Sequence, residues 1–88
     1  MIRLRLSFQG RVQGVGFRAT AERAATRHAL AGWVRNEPDG SVTMEIEGDP
    51  DTLERCIADL SATMARNIRT VSRFQLPIQG ETGFDIHR

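Results

Sequence analysis

The sequence has a single cysteine, Cys56, in 88 residues. It cannot close an internal disulfide, so nothing calls for an oxidising compartment. No apolar run approaches the ~18 residues that a membrane-crossing helix needs. No secretory leader is expected, because Arg3 and Arg5 alternate with apolar residues in place of a basic-then-apolar pattern. Lysine is absent and all twelve basic residues are arginine, which excludes the Gly-Lys-Ser/Thr phosphate loop. His28 and His87 lack metal-ligand spacing, and no cysteine or carboxylate joins them; no metal and no cofactor are expected. The length admits one domain, 1–88, with one two-layer core, too small for a full dinucleotide fold. With 40% hydrophobic and 26% charged residues, disorder is excluded. A cytoplasmic protein is expected, with no membrane partner.

Charge is present but unevenly placed. Residues 1–36 hold seven arginines and one acid, and residues 37–59 hold eight acids and one arginine. Two readings stand: complementary charge across neighbouring strands, or an anion site in the first third of the chain.

Ile2 to Gln9 alternates strictly, with Ile2, Leu4, Leu6 and Phe8 on one face and Arg3, Arg5 and Ser7 on the other, a half-buried strand. Residues 17–29 place small or apolar side chains at 17, 21, 24 and 25, with His28 on the same face, a helix with a thin, mostly alanine inner face. Leu30–Asn36 and Ser41–Glu47 flank the turn Glu37-Pro38-Asp39-Gly40 and predict an antiparallel hairpin. Val42, Met44 and Ile46 point inward, and Thr43, Glu45 and Glu47 outward. Asp49-Pro50 reads as an N-cap and first helical residue. Leu53, Ile57, Leu60 and Met64 then form an amphipathic stripe, with Cys56 beside it. Residues 68–76 predict a fourth strand whose alternation Arg73 and Phe74 spoil, and Gly83-Phe84-Asp85-Ile86 a short fifth.

The order β-α-β-β-α-β with a tail strand predicts an α+β, ferredoxin-like βαββαβ sandwich. Two helices cover one face of an antiparallel sheet of order 4-1-3-2, with the fifth strand beside strand 2. Arg3 and Arg5 are expected to face Glu45 and Glu47 in exposed pairs worth only a few tenths of a kcal/mol each.

Between the first strand and first helix lies Gly10-Arg11-Val12-Gln13-Gly14-Val15-Gly16, three glycines in seven residues. Such a loop offers several backbone amides to one anion, and the helix end adds partial positive charge. Arg18 stands at that same helix start, where a cation opposes the helix dipole unless an anion lies between. Its guanidinium can hold two phosphate oxygens at once. The plainer reading is a tight turn beside an exposed arginine. Gly14-Val15-Gly16-Phe17-Arg18-Ala19 meets the dinucleotide pattern G-x-G-x-x-A, with Glu37 about twenty residues on. However, strand 2 runs into a hairpin instead of a second crossover helix.

Gly10 to Arg18, then Gly32-Trp33-Val34-Arg35-Asn36 and Pro38-Asp39-Gly40-Ser41-Val42, closely resemble the acylphosphatase family. Glu47-Gly48 and Gly83-Phe84-Asp85-Ile86 fit as well, so the resemblance covers nearly the whole chain. It implies the ferredoxin-like fold and hydrolysis of the carboxyl–phosphate mixed anhydride. It also implies that Arg18 binds the phosphate, that Asn36 places the attacking water, and that the backbone of Gln13, Gly14, Val15, Gly16 and Phe17 cradles the phosphate. The substrate would be a small acyl phosphate, with inorganic phosphate as product and competitive inhibitor. Ala19-Thr20, Ala29 and a missing Gly-Pro turn within residues 61–67 depart from the family pattern. They bear on packing and loop shape.

The topology agrees independently. The end of strand 1, the start of helix 1 and the end of strand 2 share one edge of the sheet, with strands two places apart separated by about 10 Å. A phosphate and one water can bridge that gap between Arg18 and Asn36. An acyl phosphate leaves as a carboxylate and needs little protonation, so placing water and stabilising phosphoryl charge dominate. The alternative of the same fold is a non-catalytic phosphate- or anion-binding module. RNA recognition needs exposed aromatics on the open sheet face, and strands 1 and 3 carry none; no nucleic-acid partner is expected. Cys56 and His28 read as packing residues, Trp33 as core or partly exposed packing, and nothing demands more than a monomer.

Overall fold

The computed structural model describes residues 1–88. The elements are β1 (Ile2–Gly10), α1 (Phe17–Arg27), β2 (Ala31–Asn36), β3 (Val42–Gly48), α2 (Pro50–Thr63), β4 (Ile68–Leu76) and β5 (Phe84–His87). They form one five-stranded sheet in the order β4-β1-β3-β2-β5, with β5 beside β2 as its pattern predicts. No helix is long and apolar enough to cross a membrane.

The sheet is mixed and not purely antiparallel. β1 pairs antiparallel with β3 and β4, and β2 pairs antiparallel with β3, but β5 runs parallel to β2. The cause is where β4 ends. Leu76 lies beside Arg3, at the edge where β1 and β2 begin. A short strap, residues 77–83, stays at that edge and delivers Phe84 beside Gly32, so β5 can only run alongside β2 in the same direction. The ends of β1, β2 and β5 therefore meet at the opposite edge.

The core lies between sheet and helices. Leu4, Leu6 and Phe8 from β1 and Val42, Met44 and Ile46 from β3 meet Ala21, Ala24 and Ala25 from α1 and Leu53, Ile57 and Leu60 from α2. The alanine face lets α1 lie close to the sheet. Cys56 is buried there, and burial pushes its thiol up to about 11, so it packs and stays protonated. In β4, Arg73 pairs across from Leu6 on the helix side and reaches Glu54 of α2 at 2.6 Å. Phe74, opposite Arg5, is left 62% exposed on the other face. An edge strand with one thinly covered flank explains the broken alternation.

Helix ends differ in detail from the sequence reading. Asp49 occupies the N-cap of α2 with Pro50 first in the helix, but its carboxylate makes no capping bond; its carbonyl accepts the Leu53 amide at 2.9 Å. α1 stops at Arg27. Ala29 then adopts a left-handed φ of 55°, and the amides of Ala29 and Leu30 return to the carbonyls of Thr26 and Ala25. This is a Schellman closure in which an alanine occupies the glycine position. The turn into β4 needs no Gly-Pro pair, because the Met64 carbonyl accepts the amides of both Asn67 and Ile68.

The expectation of exposed ion pairs is overturned. Arg3 pairs with Glu47 and Arg5 with Glu45 in register, but Arg3 has 0% exposure, Glu45 1% and Glu47 4%. Arg3 Nε donates to Glu45 at 2.7 Å, one terminal nitrogen donates to Glu47 at 3.2 Å, and the other donates to Glu81. The strap is the cause. The amides of Gln79 and Gly80 donate to the Glu47 carboxylate at 2.7 and 2.9 Å, closing the strap over the sheet. Arg5 completes the set by donating to Glu45.

Removing Arg3 leaves the buried Glu47 carboxylate without a cation and Glu45 with Arg5 alone, so Arg3→Met is expected to lose about 3–5 kcal/mol in chemical denaturation. The Glu47 carboxyl is held below the usual range, first by the Gln79 amide and then, against the opposing effect of burial, by Arg3 and the Gly80 amide. Its contribution is fully present above the ordinary glutamate range and is lost as pH falls through the lowered value. The acid limb of stability against pH is therefore expected to flatten in Glu47→Gln. Ala29→Gly removes a left-handed alanine and should raise stability by about 1 kcal/mol, read as a higher denaturation midpoint.

Candidate active site

The glycine loop is pinned at both ends. Val12 and Phe17 are buried, and the Phe17 ring meets Phe8 with centroids 4.9 Å apart at a 55° tilt. Between them Gly14 and Gly16 take φ values of 73° and 77°, a left-handed backbone that side chains resist. A Cβ at either would meet nothing within 4 Å, so the glycines serve the backbone path and leave open space above it. Gly16 is the N-cap of α1, no side chain caps that end, and the first turn holds no acid. No protein group accepts a hydrogen bond from the backbone amides of residues 13–19. A row of donors at a helix start is thereby left for an anion.

A cavity of about 320 Å³ opens beside this loop and the start of α1. Gly14, Gly16, Arg18, Asn36, Ile86 and Arg88 are among the residues that line it. The end of β2, the start of α1 and the end of β5 thus contribute to one space. Of the residues singled out from sequence, Gly14, Gly16, Phe17, Arg18 and Asn36 border the cavity. Val15 and Gln13 do not. Val15 faces solvent, and the Gln13 side chain turns to the β2–β3 turn, where Nε2 donates to the carbonyls of Glu37 and Ser41.

Arg18 has no carboxylate partner; its side chain makes one hydrogen bond, from a terminal nitrogen to the His87 carbonyl at 3.2 Å. That contact leaves most of its donors free and ties α1 to β5. Arg88 is also unpaired with any acid. Arg35, by contrast, is committed to Glu37 at 3.0 Å and lies 4.8 Å above the Trp33 ring. His87 stacks on Trp33, with centroids 5.1 Å apart. Trp33 belongs to the sheet face away from the helices, partly exposed, as one of its sequence readings held. Ile86 and Arg88 were not singled out from sequence. They join the cavity only because β5 runs parallel to β2.

The remaining candidates lie elsewhere. His28 is largely buried and bonded to Asp59 at 2.6 Å, which holds the Asp59 carboxyl below its usual range. It lines a larger cavity of about 610 Å³ at the opposite edge, together with Glu47, Asp49 and Glu81. Those acids make that larger space hostile to a phosphate. No group of three histidine, cysteine or acidic side chains could hold a metal ion.

Comparison with known proteins gives the family. The acylphosphatase family profile matches residues 4–86. The chain is 42% identical over 87 residues to an acylphosphatase of Thermococcus kodakarensis, covering 97% of this chain and 94% of that one. Its structure superposes on the crystal structure of acylphosphatase from Bacillus subtilis with a TM-score of 0.91 and 30% identity, covering all of both chains. It also matches 12% of the much longer T. kodakarensis HypF, with a TM-score of 0.87 and 31% identity. With the profile spanning nearly its full length and a relative of that similarity, the chain belongs to the acylphosphatase family, enzymes that hydrolyse acyl phosphates.

Proposed function

We propose that the protein cleaves the carboxyl–phosphate anhydride of a small acyl phosphate by direct attack of water, giving a carboxylate and inorganic phosphate. The phosphate sits on the amides of Gln13, Gly14, Val15, Gly16 and Phe17 and is clamped by Arg18; Asn36 orients the water. The observation that carries this reading is the one cavity that joins unbonded amides, an arginine without a carboxylate partner and an asparagine from a separate strand.

The chemistry follows from what these groups can and cannot do. Loop amides and the Arg18 guanidinium stabilise charge on the phosphoryl oxygens. The Asn36 amide can donate to and accept from a water but cannot take its proton. Neither the loop nor the cavity lining supplies a histidine or carboxylate side chain as a base. A phosphate oxygen or bulk water takes the proton, and the carboxylate departs without an acid. No covalent phosphoenzyme forms. Anhydrides are therefore the substrates, and alkyl phosphates, whose leaving oxygen needs a proton, are not.

Two variants separate binding from chemistry, assayed on a model acyl phosphate by loss of the anhydride. Arg18→Ala loses charge-assisted hydrogen bonds worth roughly 1.5–3 kcal/mol, so phosphate inhibition should weaken by about tenfold or more, with turnover falling too. Asn36→Ala should lose about a hundredfold in turnover while phosphate inhibition persists. Unchanged phosphate inhibition in folded Arg18→Ala would contradict the clamp. Absence of turnover in the unaltered protein, with phosphate binding intact, would favour an anion-binding module.

A further inference from the structure

The phosphate loop and Asn36 belong to different elements, and in-line attack requires them to stay in register. The side chain of Gln13 bridges the two. Its Nε2 donates one hydrogen to the Glu37 carbonyl at 2.7 Å and the other to the Ser41 carbonyl at 2.9 Å. These carbonyls form the neck of the β2–β3 turn, where Ser41 also accepts the Glu37 amide at 2.8 Å and Glu37 accepts the Gly40 amide at 3.1 Å. The turn is stiff, because Asp39 Oδ1 accepts both the amide and the hydroxyl of Ser41, at 2.9 and 2.6 Å. Glu37 directly follows Asn36, so Gln13 grips the chain one peptide away from the water-orienting residue. Gln13 also directly precedes Gly14, in a loop whose amides from residue 13 onward donate to no protein group.

We propose that Gln13 is a positioning residue whose side chain latches the phosphate loop to the β2–β3 turn and sets the distance between the bound phosphate and the water on Asn36. This rests on the water-positioning reading of Asn36. Arg18 and the loop amides move as one body with the phosphate, so loss of the latch leaves phosphate binding in place and spoils the line of attack.

Gln13→Met keeps the length of the side chain and removes both donors. Turnover of a model acyl phosphate, inhibition by inorganic phosphate and melting temperature are measured in the otherwise unaltered protein and in an Asn36→Ala background. Turnover should fall on the order of 10–100-fold, as misplacement of reacting groups does, with the phosphate inhibition constant within about threefold. In the Asn36→Ala background the same substitution should add less than about twofold, because residues that act as a unit do not add. A lower melting temperature with normal turnover per folded molecule would reduce Gln13 to a structural role and overturn the proposal. So would a raised inhibition constant, or an equal loss in both backgrounds. Gln13→Ala, which admits water to the two carbonyls, is read by the same criteria if the methionine variant does not fold. Failure of the underlying reading looks different: Asn36→Ala alone would then turn over normally. If Asn36→Ala is slow and the Gln13 effect adds in full, only the latch is lost.

Discussion

The guanidinium of Arg3 is sealed from water where β1, β3 and the strap meet, and three glutamates hold it there. A buried charge is tolerable only when its partners are fixed, so this one residue constrains three segments together. Glu45 and Glu47 hold β3 in register against β1, and Glu81 with the Gln79 and Gly80 amides holds the strap. The strap in turn delivers β5 to β2. At the far end of β5 the His87 carbonyl accepts from Arg18, and Ile86 and Arg88 close the small cavity. One buried cation at the start of the sheet thus supports the wall of a site at its other edge.

The two edges divide the charge between them. Acidic side chains gather where β3 ends and α2 begins, around the larger cavity. The edge where β1, β2 and β5 end keeps two arginines without acidic partners and a run of unbonded amides. Of the two readings of the lopsided charge, the pairing across strands is seen directly in β1 and β3. It neutralises Arg3 and Arg5, while Arg18 at the helix start has no acidic partner. Cavity size is a poor guide here, because the larger space carries the wrong sign of charge for a phosphate.

An acyl phosphate asks little of acid–base groups, and the proposed site contains no side chain suited to that work. Its resources go into rigid donors and fixed distances. Buried Val12 and Phe17 at the loop ends, left-handed Gly14 and Gly16 between them, and a stiffened turn after Asn36 all restrict motion. Preorganised amides are most effective when nothing has to rearrange as charge develops.

Much of this was written in local pattern. Alternation in Ile2–Gln9 and Val42–Glu47, the Asp49-Pro50 start and the Glu37–Gly40 turn each report a short-range preference, and strand order followed from their sequence. The glycine loop with Arg18 was legible because left-handed backbone and an unopposed cation at a helix start are local anomalies. Tertiary structure alone decided that Arg3 is buried, that β5 runs parallel, and that Ile86 and Arg88 reach the cavity. Each depends on residues 77–83, a strap with no periodicity to read. Its path is set by hydrogen bonds to Glu47 and by Glu81 meeting Arg3, 78 positions away in the chain. Alternation tells which face of a strand is outward; whether another segment later covers that face is settled only when the chain has folded back on itself.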